Sequence, residues 1–86
     1  LFRSPKRWKV IFLNDDTTPM EFVIGVLQEI FKHTADSARA VMLQVHETGS
    51  GIAGIYSFEI GEAKAVEATN EARTNGFPLQ IKLEEE

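Results

Sequence analysis

The sequence predicts an α+β fold: a two-layer sandwich in the order β-α-α-β-α-β, with a three-stranded antiparallel sheet and three helices on one face. Three observations predict it. Runs of β-favouring residues occupy 7–13, 55–60 and 79–83. Apolar residues at helical spacing fill the stretches between these runs. The 86 residues suffice for one core only, so 1–86 is treated as a single domain, with 1–6 as a flexible N-terminal stub.

The first strand is expected from Arg7 to Leu13, where Val and Ile favour extended backbone. Thr18 and Glu21 have the spacing of a capping box, and Pro19 suits the first position of a helix. The first helix is therefore expected over 19–33. Its inward stripe comprises Val23, Val26, Leu27, Ile30 and Phe31.

Thr34 is the expected N-cap of the second helix, and Gly49 is expected to end it. The inward face of that helix holds Ala38, Val41, Met42 and Val45. The glycine-rich stretch 49–54 then leads into the second strand, whose β-favouring residues are Ile55, Tyr56, Phe58 and Ile60. We thus expect glycines to connect the elements and the strand to follow them.

The third helix is expected over 62–75, with Gly76 ending it. Its thin inward face comprises Ala65, Val66, Thr69 and Ala72. The last strand, 79–83, alternates with its Leu and Ile side chains inward. The acidic tail at 84–86 is expected to fray, and the basic start at 3–9 to be a solvated arm that leans on acidic surface.

Composition excludes several classes of protein. Apolar residues make up 43% and charged residues 26%, as in ordinary soluble domains. The net charge of −4 argues against a nucleic-acid partner, and no apolar run approaches the roughly 20 residues that cross a bilayer. There is no secretory signal pattern and no cysteine. We therefore expect a cytoplasmic protein without a membrane partner or a cofactor.

Three sequence patterns suggest a ligand site, but each lacks the neighbouring elements or spacing that such a site needs. The stretch 49–54 spells G-x-G-x-x-G, but a dinucleotide site needs a strand before the glycines and a helix after them. Residues 10–16 imitate a Walker B segment, yet no phosphate-binding loop exists. Asp15, Asp16 and His46 lack a recognised metal-ligand spacing, so we expect no metal site. No Ser or His is arranged for nucleophilic catalysis, so we expect no enzyme.

One binding constellation survives. Asn14, Asp15 and Asp16 form a short loop, and such residues are most often turn formers. If the loop meets the second helix, an apolar cup with an anionic rim results. The cup would use Met20, Val23, Met42, Val45, His46 and Leu79. The same apolar residues also suit an ordinary core, which the pattern alone favours.

Four segments decide between these interpretations: KVIFLNDD at 9–16, TPMEFV at 18–23, MLQVH at 42–46 and PL at 78–79. In them the chain resembles ClpS, the small adaptor that recognises N-terminal destabilising residues for the ClpA-type AAA+ unfoldase and its ClpP protease. The segments occur in order over nearly the whole chain. The resemblance implies the same β-α-α-β-α-β sandwich and an adaptor function.

The resemblance also implies residue roles. Asn14, Asp16 and His46 would hold the free α-amino group of a substrate, with Asp15 setting the local field. The pocket for the first side chain, typically Leu, Phe, Tyr or Trp, would be lined by Thr18, Met20, Val23, Met42, Val45 and Leu79. Met20 would exclude β-branched side chains. Glu59 and Lys64 would contact the N-terminal domain of the unfoldase.

The chain departs from the family in two places. Phe12 replaces an aliphatic residue, and if it lines the pocket we expect a shallower site that favours Leu over Trp. The family delivers substrate with a disordered N-terminal arm, whereas only a stub precedes Arg7, so we expect binding without promoted degradation. The start at Leu1 supports a further hypothesis, in which one molecule's terminus enters a neighbour's pocket.

Two other functions stay open at this stage. A generic protein-interaction domain would show no dependence on a free peptide amine. A small metal-dependent enzyme would hold an ion near Asp16 and His46.

Overall fold

The computed structural model describes residues 6–86 and confirms the predicted α+β class. Three strands and three helices follow one another in the expected order. Their bounds are β1 (Trp8–Leu13), α1 (Met20–Glu29), α2 (Ala35–Thr48), β2 (Ser50–Tyr56), α3 (Phe58–Thr74) and β3 (Gln80–Glu85). The predictions for residues 1–5, including the entry of Leu1 into a neighbour's pocket, lie outside the described residues.

The sheet is antiparallel, and β1 is its central strand in the order β2-β1-β3. The register against β2 shifts between Val10, opposite Gly54, and Ile11, opposite Ile52, which leaves Ala53 as the extra residue of a bulge. The ring Nε2–H of His33 donates to the carbonyl oxygen of Ala53 at 2.6 Å. This hydrogen bond pairs the backbone acceptor at the bulge. It also connects the turn between α1 and α2 to the sheet.

The core lies between the helices and the face of β1 that carries Val10 and Phe12. Both side chains are fully buried, and Phe12 packs edge to face on Phe31 with ring centroids 5.4 Å apart. The buried cluster contains Val10, Phe12, Val23, Val26, Leu27, Ile30, Phe31, Ala38, Met42, Val45, Ala53, Ala65, Ala68, Ala72 and Leu79. All five residues of the predicted α1 stripe belong to it.

Helix α1 ends four residues earlier than predicted. The helix stops at Glu29, with Ile30 as its C-cap. Lys32 takes a positive φ of 61°, and Thr34 is extended and accepts from the amide of Ser37 as the N-cap of α2. An N-cap needs non-helical backbone. The predicted cap of α2 is confirmed, and the positive φ of Lys32 prevents α1 from continuing to His33.

The boundary between β2 and α3 was also predicted wrongly. The strand contains the glycines themselves and ends at Tyr56. Ser57 is the N-cap of α3 and accepts from the amide of Ile60. Phe58 and Ile60 are therefore exposed residues of the first helical turn. Val66 is likewise exposed, and Ala68 takes its expected inward position.

The two ends of the described chain pair with each other. The expected fraying of the tail is wrong, since β3 continues to Glu85 and the amide of Glu86 donates to the Arg7 carbonyl oxygen at 2.9 Å. The Arg7 guanidinium donates to both carboxylate oxygens of Glu86, at 2.8 and 3.0 Å. Exposed ion pairs of this kind contribute little to stability, but they place Arg7, within the basic start, against an acidic residue, as predicted.

Candidate functional site

The loop after β1, the start of α1 and the last turns of α2 enclose a cavity of about 210 Å³. One wall is polar and the other is apolar. Nine residues line the cavity: Asn14, Asp15, Asp16, Thr18, Met20, Val23, Met42, Val45 and His46. All nine were predicted from the sequence, so the structure brings together the loop and the second helix as the cup interpretation requires.

Backbone pairing fixes the position of the polar wall. Leu13 is opposite Ser50 in the sheet, and the amide of Asn14 donates to the carbonyl oxygen of Gly49 at 2.9 Å. Gly49 ends α2 in the left-handed conformation with φ 95°, which glycine adopts at little cost. The chain beyond β1 is thereby held against the end of α2. Asn14 and His46 consequently border the same cavity.

Asp15 organises the turn that forms the rim. Its Oδ1 accepts from the amides of Thr17 and Thr18 at 2.8 and 2.7 Å, and its Oδ2 accepts from the Thr18 hydroxyl at 2.8 Å. This is an Asx-type turn, and it uses both carboxylate oxygens within the loop. Of the neighbouring residues Asp15 and Asp16, it is Asp16 that is exposed.

The electrostatics of Asp15 follow from these contacts. Burial raises the pKa of its carboxyl group, but hydrogen bonds from Thr18 and Thr17 stabilise the carboxylate. The positive charge of Arg73 acts in the same direction. The net result is a pKa below the ordinary value of 3.8, so Asp15 carries its charge throughout the neutral range.

The predicted capping box at the start of α1 is wrong. The N-cap is Pro19 in extended conformation, and no side chain caps the helix. The Thr18 hydroxyl, which the box would need as an acceptor, instead donates to Asp15. The spacing of Thr18 and Glu21 matches the motif, but the Asx turn competes successfully for the same hydroxyl.

The apolar wall is built by two helices. Val23 of α1 and both Met42 and Val45 of α2 are at most 7% exposed. Met20, at the first position of α1, is 43% exposed and forms the apolar edge of the opening. Helix α2 can approach the sheet closely because Gly51 has no Cβ, which would lie 2.8 Å from a methyl group of Val45. Gly51, a glycine of the G-x-G-x-x-G stretch, is therefore needed for this packing.

Phe12 and Leu79, both predicted to line the pocket, are not among the residues that line the cavity. Phe12 is fully buried and Leu79 is 1% exposed. Both belong to the same buried cluster as Val23, Met42 and Val45. Their position is therefore corrected: they lie in the buried core and do not border the cavity.

Glu59 and Lys64, the predicted unfoldase contacts, lie on α3 and do not line the cavity. Glu59 is exposed in the first turn. Lys64 is half-buried, and its Nζ donates to the carbonyl oxygen of Ile30 at 2.8 Å and lies 5.5 Å from the centroid of the Tyr56 ring. Lys64 thus caps α1, a structural role that the sequence did not indicate.

Within residues 6–86, no group of three or more His, Asp or Glu side chains is arranged to hold a metal ion. Asp15, Asp16 and His46 border one cavity, but Asp15 directs both oxygens into its own turn. None of the helices in the described part of the chain has the length and apolar content needed to cross a membrane.

Fold and site together define a small α+β domain with an amphipathic cavity between the loop after β1, α1 and α2. Residues 3–82 match the family model described as ATP-dependent Clp protease adaptor protein ClpS. The chain belongs to the ClpS family of adaptors.

Individual relatives agree with this assignment. The ATP-dependent Clp protease adapter protein ClpS of Gluconobacter oxydans is 46% identical over 98% of this chain and 71% of its own length. The same adapter of Campylobacter jejuni is 49% identical over 96% of this chain and 86% of its own length. The solved structure of Agrobacterium tumefaciens ClpS2 bound to L-phenylalaninamide is 43% identical, with a TM-score of 0.93 over 96% of this chain and 100% of that one.

Proposed function

We propose that this chain binds N-degrons, which are peptides that begin with Leu, Phe, Tyr or Trp and have a free α-amino group. It then delivers them to a ClpA-type AAA+ unfoldase of the ClpAP protease in the cytoplasm. The chain acts as an adaptor without a catalytic step. The observation that carries the proposal is one cavity with a polar rim from the loop after β1 and an apolar wall from α1 and α2.

The polar rim suits an ammonium group. A peptide N-terminus offers three donors and a positive charge, which carboxylate, carboxamide and neutral imidazole acceptors complement. In the proposal Asn14, Asp16 and His46 contact the amine directly, and Asp15 holds the turn and adds negative charge. Each charge-assisted hydrogen bond contributes about 1.5–3 kcal/mol net.

The apolar wall suits the first side chain. Burying a Leu or Phe side chain contributes roughly 1.5–3 kcal/mol. With association costs of several kcal/mol, neither the amine nor the side chain suffices alone. Together they support micromolar affinity, near −8 kcal/mol. The proposed site therefore requires both a free amine and a bulky first residue.

The solved relative supports this chemistry. Agrobacterium tumefaciens ClpS2 was solved bound to L-phenylalaninamide, a molecule with a free α-amine, a benzyl side chain and an amide in place of the next peptide bond. At 43% identity and a TM-score of 0.93, the fold that holds that ligand is shared. We propose an equivalent mode of binding for this chain, with Met20 at the opening excluding β-branched side chains.

Delivery needs a second surface. We propose that Glu59 and the neighbouring surface of α3 contact the N-terminal domain of the unfoldase, with Lys64 taking part. Glu59 is exposed, whereas Lys64 already donates to Ile30. The contact therefore rests mainly on Glu59.

Matched peptides test the proposal. Three otherwise identical sequences beginning with Leu, acetyl-Leu and Val are titrated against the protein by fluorescence anisotropy. We expect micromolar binding of the Leu peptide, and binding weaker by at least tenfold for the other two, since each loses about 1.5 kcal/mol or more. Equal binding of the Leu and acetyl-Leu peptides would refute the proposal and favour a generic interaction domain.

A further inference from the structure

A guanidinium group at the end of α3 holds the turn that leads into β3. Arg73 lies in the last turn of the helix, and its Nη1 donates to the carbonyl oxygens of Phe77 and Leu79, both at 2.8 Å. Gly76, which lies between Arg73 and Phe77, has a φ of 77°, which lets the chain reverse. These two bonds keep the turn folded back onto the helix end.

The turn reaches the candidate site by two packed routes. Phe77 packs edge to face on Phe22 of α1 with ring centroids 4.9 Å apart, and α1 supplies two residues of the cavity. Leu79 is 1% exposed and belongs to the same buried cluster as Val23 and Met42 of the apolar wall. A displaced turn would therefore disturb the buried cluster to which the apolar wall belongs.

Arg73 also acts on the rim. Burial raises the pKa of Asp15, the bonds from Thr18 lower it, and the positive charge of Arg73 lowers it further. Arg73 is not among the residues that line the cavity. Its influence on a bound ligand must therefore pass through the turn and through Asp15.

We propose that Arg73 is a positioning residue that determines the depth of the cavity, and with it the discrimination between Phe and Leu as the first residue of a peptide. This inference rests on the proposed function. In the proposed mode of binding, a Phe side chain extends further into the cavity than a Leu side chain because it is longer. Displacement of Leu79 and Phe77 thus affects Phe-first peptides more than Leu-first peptides.

Two variants separate the geometry from the charge. Arg73→Gln removes the charge and the double donor. Arg73→Lys keeps the charge near Asp15, but its side chain is one bond shorter and does not place an ammonium at the position of Nη1, which donates to both carbonyl oxygens. Arg39→Gln is the matched control, because Arg39 is exposed and only pairs with Asp36 at 3.4 Å. Affinities for Phe-first and Leu-first peptides are measured for each variant, together with the NMR shift of the Thr18 amide proton.

We expect both Arg73 variants to lower the ratio of Phe-first to Leu-first affinity by roughly three- to tenfold. The upper limit is set because loss of a whole methylene contact changes affinity by about tenfold or more. The control should leave the ratio unchanged. A variant that merely folds less would weaken both peptides by the same factor, so the ratio isolates positioning. Arg73→Gln alone is expected to shift the Thr18 amide strongly, since only it removes the charge.

An unchanged ratio in both variants overturns the inference and leaves the proposed function intact. Failure of the unaltered protein to bind either peptide overturns the proposed function instead. In that case the inference about Phe and Leu fails with it, and the Thr18 amide shift in Arg73→Gln reports only whether the charge of Arg73 acts on the rim. If Arg73→Gln does not fold, the ratio of Phe-first to Leu-first affinity in Arg73→Lys decides whether the inference holds.

Discussion

The turn held by Asp15 offers a quantitative test of how the rim works. The substitution Asp15→Ala removes three hydrogen bonds, to the amides of Thr17 and Thr18 and to the Thr18 hydroxyl, all between 2.7 and 2.8 Å. A hydrogen bond to a charged group is worth about 1.5–3 kcal/mol. Because the Asp15 side chain is only half-buried, solvent screening reduces this to about 0.5–1.5 kcal/mol for each bond.

The three bonds hold the same four-residue turn, so their contributions are not additive. We expect the loop to lose about 1–2 kcal/mol of preorganisation, which weakens binding of a Leu-first peptide roughly five- to thirtyfold. The assay is fluorescence anisotropy at neutral pH. The matched control is Asp36→Ala, which removes the same charge from a side chain that is 97% exposed.

Asp15→Asn tests the reasoning itself. The Asn side-chain oxygen can still accept from both amides, and its NH₂ group can donate to the Thr18 hydroxyl. If Asp15 acts through the turn, this variant should bind less than about fivefold more weakly than the unaltered protein. If Asn weakens binding as much as Ala does, the carboxylate charge contacts the ligand directly and the turn argument is refuted.

Three further predictions concern stability, each measured by urea unfolding. A Cβ at Gly51 would lie 2.8 Å from a Val45 methyl group, so Gly51→Ala should destabilise the fold by about 1–3 kcal/mol. The control Gly25→Ala, with nothing within 4 Å of its Cβ, should stabilise the helix by up to about 1 kcal/mol; equal effects would contradict this account. The Asp15 pKa lies below 3.8, so its contribution is present above pH 3.8 and lost as pH falls through the folded-state pKa. Asp15→Asn should flatten that acid loss, and an unaltered slope would contradict the sign. Lys64→Met should cost about 1 kcal/mol by removing the bond that caps α1, whereas no loss would make the contact incidental.

The cavity could be predicted because its residues occur in segments with strong local signals. The apolar run of β1, Pro19 and the stripe of α1 confine Asn14, Asp15 and Asp16 to a short loop. Family resemblance then placed His46 beside that loop. What sequence alone could not show is the bond between the Asn14 amide and the Gly49 carbonyl oxygen, because such a pairing joins residues 35 positions apart.

The errors arose where two local signals competed for the same residues. Thr18 has capping-box spacing, yet its hydroxyl serves the Asx turn of Asp15. Phe58 and Ile60 favour strands, yet Ser57 caps a helix there and tertiary context exposes both side chains. Phe12 and Leu79 were identified as important, but pattern cannot distinguish a residue that lines a cavity from one directly behind it.

The candidate cavity and the proposed unfoldase contact at Glu59 lie towards opposite ends of β1. Phe58 packs on Trp8 with ring centroids 5.0 Å apart, so the start of α3 lies beside the start of β1, whereas the cavity begins at Asn14, just beyond the other end of β1. A helix of 17 residues is about 25 Å long, and Arg73 near its far end reaches Leu79. We therefore expect that a partner bound at Glu59, which does not line the cavity, would leave the cavity open. Because Lys64 caps α1, a partner that drew its ammonium away would loosen the helix that carries Met20, so that bond is one route by which the two proposed surfaces would be coupled.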